Sequence, residues 1–210
     1  MKASVIPRTG FCECLAGAND LPARGFEEWV FYRAMLFQSL EKWWGKGGRR
    51  DKPHEGVDLT LYRARGGRTG RLDAATQVPA MYGGRIIRII EDHIGKSAFV
   101  SHEIHDEKGN QLYSVYGHIE PVEGIGEAVQ IPEGQIIGTI AGKGRNEKVG
   151  MLPHVHLSVA WVPGNLPPRR LEWGIMNDPS MVRLVDPLDV MQCRYRILDV
   201  DVSLDEAGLR

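Results

Sequence analysis

The sequence predicts a mostly β fold, an antiparallel β-sheet or sandwich, with an added N-terminal helix. From residue 57 onward, short segments rich in β-branched and aromatic residues alternate with turns that contain Gly, Asp or Pro. One longer run of apolar residues, spaced three and four apart, comes before them. Many short strands joined by tight turns are typical of an antiparallel β domain.

The added helix is predicted over residues 26–44, after an irregular lead-in over residues 1–24. Its apolar residues fall near the spacing of one broad helical face. Glu27 and Glu28 suit a first turn, Lys42 suits a last turn, and Gly45 suits a helix end. We expect this helix to pack on the domain rather than to bind a membrane or a partner.

The remaining segments with β character follow in order, and the turn at 106–110 joins two of them into a hairpin. The predicted strands are 57–62, 84–90, 97–105, 111–119, 135–141, 154–162 and 194–202. We therefore divide the chain into a lead-in and helix (1–49), a main domain (50–190), and a C-terminal strand and tail (191–210).

Composition excludes several classes of function. Of 210 residues, 42% are hydrophobic and 25% charged, and the net charge of -1 gives no reason to expect nucleic acid or an anionic membrane as a partner. No apolar run has the length of a membrane span, and the first twenty residues lack the apolar centre of a secretory signal. The three cysteines, Cys12, Cys14 and Cys193, are predicted to be free thiols because an odd count does not form a disulfide framework.

Three short stretches supply candidate metal ligands: His54-Glu55-Gly56-Val57-Asp58, Tyr116-Gly117-His118, and His154-Val155-His156. Imidazole and carboxylate are common zinc ligands, and a catalytic zinc uses three protein ligands with an open fourth position. Residues two apart on a strand share a face, so His154 and His156 can be two ligands, or one ligand beside an acid–base group. Five candidates are enough for one metal and two proton-transfer groups.

The other histidines do not fit this pattern. His102 and His105 frame an H-E-I-H sequence, one residue short of the helical zinc motif H-E-x-x-H. We expect them in a solvent-exposed hairpin, and we give His93 no role.

These motifs, in this order, resemble those of the LytM/lysostaphin-type zinc metallopeptidases, a family of β-lytic and peptidoglycan endopeptidases. H-x-G-x-D stands at 54–58, the Tyr-Gly-His motif at 116–118, and Pro-His-x-His-aliphatic at 153–157. Flanking segments at 78–86 and 134–142, and Asp186-Pro187, also match. The resemblance covers about residues 50–190.

The resemblance implies a LytM-type metallopeptidase domain that holds one zinc ion per chain. It implies His54, Asp58 and His156 as zinc ligands and His118 and His154 as catalytic acid–base residues. The implied substrate is a peptide bond in a bacterial cell-wall peptidoglycan cross-link. The family also suggests the cell envelope or the extracellular space, although no export signal is visible in this sequence.

Three alternatives remain at this point. The chain could be a non-catalytic LytM-fold module that binds or regulates a partner through residues 26–44. It could be a zinc hydrolase that cleaves an amide outside the cell wall. It could hold a structural zinc ion, but the two additional histidines disfavour this because structural sites are closed by four protein ligands. Residues 26–44 or 163–182 could also cover the site.

Overall fold

A computed structural model describes residues 5–142 and 151–198. Strands make up most of its regular structure, which confirms the mostly β prediction. The α-helices are α1 (Phe11–Ala18), α2 (Trp173–Met176) and α3 (Pro187–Val190), and 3-10 turns lie at Arg33–Met35, Arg65–Gly67 and Pro168–Arg170. The strands are β1 (Phe26–Tyr32), β2 (Val57–Leu59), β3 (Leu61–Ala64), β4 (Thr69–Arg71), β5 (Gln77–Pro79), β6 (Gly84–Glu91), β7 (Lys96–His105), β8 (Gln111–Pro121), β9 (Gln130–Ile131), β10 (Ile136–Ile140), β11 (Val155–Val162), β12 (Arg183–Val185) and β13 (Tyr195–Leu198).

The larger sheet carries the candidate site. Its strand order is β12-β11-β8-β7-β6-β9, with β2 added to β11 and with β10 bridging β8 and β5. All of these pairs are antiparallel. The strands predicted at 84–90, 97–105, 111–119, 135–141 and 154–162 all lie in this sheet, and the predicted hairpin turn at 106–110 joins β7 to β8.

The helix predicted over residues 26–44 is wrong. Residues Phe26–Tyr32 form β1, which lies between β13 and β3 in a smaller sheet of order β13-β1-β3-β4. Trp29, Val30 and Phe31 are consecutive and all buried, because this strand is covered on both faces. In a strand buried on both faces, apolar and polar residues do not alternate. The apolar residues of this segment therefore fitted the spacing of a helical face.

The helix that does form lies in the predicted lead-in. Helix α1 places Phe11 and Leu15 in the hydrophobic core, together with Cys12 and Ala16. The single apolar stripe of this short helix is what packs it on the domain. The proposed division at residues 49 and 190 remains a prediction.

The prediction of free thiols is wrong for two of the three cysteines. Cys12 on α1 and Cys193, just before β13, form a disulfide with their Cα atoms 5.5 Å apart. Cys14 is free and exposed. The bond ties the N-terminal helix to the C-terminal segment, where β13 pairs in parallel with β1. Of the strand predicted at 194–202, residues 199–202 lie outside the described residues.

The segment between β11 and β12 packs on the outer face of the larger sheet. Its Leu171, Met176 and Val182 bury Phe99, Val115 and their neighbours in a second, smaller hydrophobic cluster. This places α2 next to the ends of β8 and β11, where the candidate site lies. Across residues 5–142 and 151–198, no helix combines the length and the apolar character needed to span a membrane.

Candidate metal centre

Three of the predicted residues bring one atom each to a common point. Asp58 Oδ1 lies 2.9 Å from His156 Nδ1 and 3.2 Å from His54 Nε2, and the two nitrogens are 3.1 Å apart. All three residues are buried. His54, Asp58 and His156 therefore form a possible metal site.

The donor set fits a zinc ion. Zinc–ligand distances near 2.0–2.1 Å in a tetrahedral site put ligand atoms about 3.3 Å apart. The three sides of the triangle, 2.9, 3.1 and 3.2 Å, are close to this separation. Two neutral imidazoles and a carboxylate also match the ligands of catalytic zinc sites.

The pairing of β2 with β11 creates this triangle. Asp58 and His156 are direct partners in the antiparallel register, so their side chains emerge on the same face. Gly56 allows the strands to approach, because a Cβ atom there would lie 1.9 Å from the carbonyl oxygen of Leu157. The glycine of the H-x-G-x-D motif thus has a steric reason in this fold.

Each imidazole is oriented by a second contact. His54 Nδ1 lies 3.1 Å from the carbonyl oxygen of Leu36, so this nitrogen carries the proton and Nε2 faces the triangle. His156 Nε2 lies 2.9 Å from Ser158 Oγ, which leaves Nδ1 for the triangle. Burial would raise the pKa of Asp58, but the adjacent His54 and the hydrogen bond with His156 hold this pKa well below its usual range.

His154 lies beside the triangle. Its Nδ1 donates to the carbonyl oxygen of Leu152 over 2.9 Å, and its Nε2 lies 3.8 Å from Asp58 Oδ1. Burial lowers the pKa of His154 to about 3, despite the nearby Asp58 carboxylate. This imidazole is therefore neutral at neutral pH and faces the site with an unprotonated nitrogen.

His118 reaches the site through a β-bulge. The register between β7 and β8 shifts by one residue between Ala98–Tyr116 and Lys96–Ile119, so β8 carries an extra residue there. His118 has a φ of 63°, which is uncommon for a residue other than glycine. Its ring centroid lies 4.8 Å from that of His154 and 6.0 Å from that of His156. Strand β8 continues past His118 to Pro121.

Asp92 is a site residue that the sequence analysis missed. Its Oδ2 accepts the backbone N–H of His118 over 2.9 Å and lies 3.2 Å from His118 Nδ1. Burial opposes its ionisation, but hydrogen bonds from His118, Ser97 and the Gly95 backbone hold the pKa of Asp92 below its usual range. A single Asp in a D-H-I-G turn gave no signal of this role.

Trp173, in the segment after β11, contacts Asp92 indirectly through Ser97. Its indole N–H donates to Ser97 Oγ over 3.0 Å, and Ser97 Oγ donates to Asp92 Oδ2 over 2.6 Å. Its ring packs edge-to-face on His156, with centroids 5.0 Å apart. The 163–182 segment therefore forms one wall of the site.

Trp43 forms a second wall of the site, and the sequence did not reveal it because the apolar spacing of residues 26–44 predicted a helix. Its indole N–H donates to Asp58 Oδ2 over 2.7 Å, and its ring packs on His154 with centroids 5.0 Å apart. Arg50 Nη2 lies 3.5 Å from the same Oδ2. Residues 45–53, a basic and glycine-rich segment, thus contribute Arg50 to the site.

The site opens to solvent on the side of His118. The His118 side chain is 17% exposed, whereas the His154 side chain is 2% exposed. The other members of the five are similarly buried. Of the five residues, His118 therefore has the imidazole that is most accessible to solvent.

The expectation that His102 is exposed is wrong. His102 is buried, with Nδ1 3.0 Å from the carbonyl oxygen of Gly83 and Nε2 2.9 Å from Ser114 Oγ. Burial lowers the pKa of His102 to about 4. His93 and His105 are exposed. These histidines lie outside the triangle.

Comparison with known proteins gives structural likenesses at low identity. No family model and no curated protein matches the chain. Lysostaphin is 18% identical over 65% of this chain and 42% of its own, with a TM-score of 0.41. Csd3 of Helicobacter pylori is 19% identical over 88% and 38%, with a TM-score of 0.40.

The catalytic domain of the prophage-encoded M23 protein EnpA from Enterococcus faecalis is 21% identical over 71% of this chain and 98% of its own, with a TM-score of 0.37. The chain spans less than half the length of lysostaphin and of Csd3. At these scores the likenesses carry no argument about activity. What the site can do therefore follows from its own residues.

Proposed function

We propose that the chain is a zinc-dependent metalloendopeptidase that hydrolyses peptide bonds in bacterial cell-wall peptidoglycan. The observation that carries the proposal is the triangle of His54, Asp58 and His156, with two further histidines at its edge. A closed structural site would have no use for His118 and His154. The motif resemblance and the geometry support the same three ligands.

His54 Nε2, Asp58 Oδ1 and His156 Nδ1 would hold the zinc ion. When bound, zinc polarises the scissile carbonyl and makes a water molecule more nucleophilic near neutral pH. Leu36 and Ser158 fix the two imidazoles from behind, and such second contacts orient ligands and raise their basicity.

Proton transfer is assigned to His118. Asp92 Oδ2 lies 3.2 Å from its Nδ1, so Nε2 is the nitrogen assigned to take a proton from the attacking water and return it to the leaving amine. His118 is also the most solvent-accessible of the five residues, so substrate meets it first. His154 stays neutral and presents Nε2 beside Asp58, where it can accept a hydrogen bond from water or substrate.

The test combines zinc quantification with cleavage assays on purified peptidoglycan and on oligoglycine peptides. His54→Ala should lose zinc and activity together. His118→Ala should keep its zinc and lose about 10²–10⁴-fold in kcat, the usual contribution of a general acid–base group. A His118→Ala variant with the full peptidase rate would remove the role given to this residue.

The same assays separate the rival functions. Zinc without cleavage of either substrate supports a regulatory module, for which the near-complete burial of the site is a specific observation. Cleavage of oligoglycine but not of peptidoglycan supports hydrolysis of another amide. The envelope location remains part of the proposal, and the Cys12–Cys193 disulfide supports it because such bonds persist in oxidising compartments.

A further inference from the structure

Residues 36–50, called the strap here, run along the triangle of candidate ligands. They contact His54 and Asp58, the two candidate ligands of the first motif. His54 Nδ1 faces the carbonyl oxygen of Leu36. The backbone of His54 pairs with the strap on both sides, because Gln38 N–H donates to His54 O over 2.8 Å and His54 N–H donates to Ser39 O over 2.9 Å. The strap therefore fixes the position of the first candidate ligand.

The strap folds back on itself so that its far end reaches Asp58. Lys42 N–H donates to Gly48 O over 2.8 Å, and Arg50 N–H donates to Leu40 O over 2.7 Å. Gly47 and Gly48 both have positive φ angles, which this reversal requires. Arg50 also donates to the carbonyl oxygens of Ala34 and Glu41, which anchors the returning chain.

The two carboxylate oxygens of Asp58 consequently have different partners. Oδ1 faces the histidines of the triangle. Oδ2 accepts the Trp43 indole N–H over 2.7 Å and lies 3.5 Å from Arg50 Nη2. A donor and a cation on the same oxygen hold the carboxylate in one rotational position.

We infer that Trp43 and Arg50 are positioning residues that make Asp58 a one-oxygen ligand and thereby set the affinity of the site for zinc. The inference rests on the proposed zinc site. With Oδ2 engaged by the strap, Asp58 offers Oδ1 alone. Groups that orient a metal ligand from behind typically change metal affinity by 10–100-fold when they are removed.

Trp43 also touches His154 through its ring, so two effects must be separated. Trp43→Phe removes the N–H donor and keeps an aromatic ring against His154. The matched control is Trp161→Phe, because the Trp161 ring lies on β11 beside Arg183 of β12 and contacts neither Trp43 nor Arg50. Arg50→Gln removes the cation near Oδ2 and leaves the tryptophan in place.

The experiment measures zinc dissociation constants by chelator competition and the visible spectrum of the cobalt-substituted protein, using the full chain. Trp43→Phe should bind zinc about tenfold or more weakly, and its cobalt spectrum should shift because the carboxylate is released. Arg50→Gln should show a smaller loss of affinity, and Trp161→Phe should bind zinc as the wild type does. Thermal unfolding of the metal-free proteins checks that each variant folds.

An unchanged zinc affinity and cobalt spectrum in Trp43→Phe would overturn the inference. If that variant does not fold, Arg50→Gln decides, and wild-type affinity there overturns it. None of these measurements needs a substrate. A wild type that binds zinc without cutting peptidoglycan therefore defeats the proposed function alone, whereas an active enzyme with unaffected variants defeats this inference alone.

Discussion

Asp58 and His156 are cross-strand partners of β2 and β11, and their Oδ1 and Nδ1 atoms lie 2.9 Å apart in a buried position. A buried carboxylate next to two imidazoles is stabilised by a cation at their common point. The pairing would therefore couple a bound metal ion to the two strands that bring the candidate ligands together. The first prediction tests this coupling.

Metal removal should destabilise the fold. A ligand that binds only the folded state stabilises it by about 2.7 kcal/mol when its free concentration is 100-fold above its Kd. Calorimetric melting with added zinc and with a chelator should differ accordingly. His54→Ala is the control and should melt at the same temperature in both conditions. If the wild type melts at the same temperature with zinc and with chelator, the result contradicts a metal site.

Gly56→Ala should damage both fold and site. A Cβ atom at this position would meet the Leu157 carbonyl at 1.9 Å, so β2 must move away from β11. We expect a loss of about 1–3 kcal/mol in the free energy of unfolding and weaker zinc binding. Gly126→Ala is the matched control, because the space around Gly126 is open. Equal urea midpoints for the two variants would refute the steric argument.

Asp92→Asn should lower turnover without loss of zinc. The carboxylate accepts the backbone N–H of His118 and lies 3.2 Å from its Nδ1, yet it belongs to a different turn from the candidate ligands. We expect kcat to fall about tenfold or more, with one zinc per chain retained. Asp106→Asn is the control, because this carboxylate also orders a turn, in the distant hairpin. Loss of zinc in Asp92→Asn would instead make Asp92 part of the metal site.

Acid should destabilise the protein partly through His102. Burial lowers its pKa from 6.5 to about 4, so the unfolded chain binds a proton more readily between these values. The stabilisation is complete above pH 6.5 and is lost as the pH falls toward 4, up to about 3 kcal/mol. Urea unfolding at pH 7 and pH 5 measures this loss. His102→Gln should show a shallower pH dependence, and an identical slope would rule out His102 as the source.

Reduction of the Cys12–Cys193 disulfide should lower stability by about 2–5 kcal/mol, because the bond closes a very long loop of the unfolded chain. The two cysteines are separated by 181 positions. Thiol titration under denaturing conditions should find one free thiol, that of Cys14. Cys14→Ser should leave the melting temperature unchanged. Three titratable thiols in the untreated protein would exclude the bond.

The local patterns predicted much of the larger sheet, and they supplied the five candidate residues, of which His54, Asp58 and His156 come together as a possible metal site. Five strands have clear β character and tight turns between them, so the local sequence is enough to predict them: β6, β7, β8, β10 and β11. The helix prediction over residues 26–44 was wrong because β1 is buried on both faces. Trp43 is buried for a different reason, since its indole N–H donates to Asp58. Helix α1 is eight residues long and was too short for a periodic signal.

The sequence by itself determined which chemistry is possible, because His54, Asp58, His118, His154 and His156 can be recognised by residue type and spacing. Only the tertiary structure decided the geometry, because the ligand triangle depends on pairing β2 with β11 across about a hundred residues. The same holds for Asp92 behind His118 and for the strap behind Asp58. Each of these contacts joins segments that are separated along the chain, and their relative positions follow from packing rather than from local sequence.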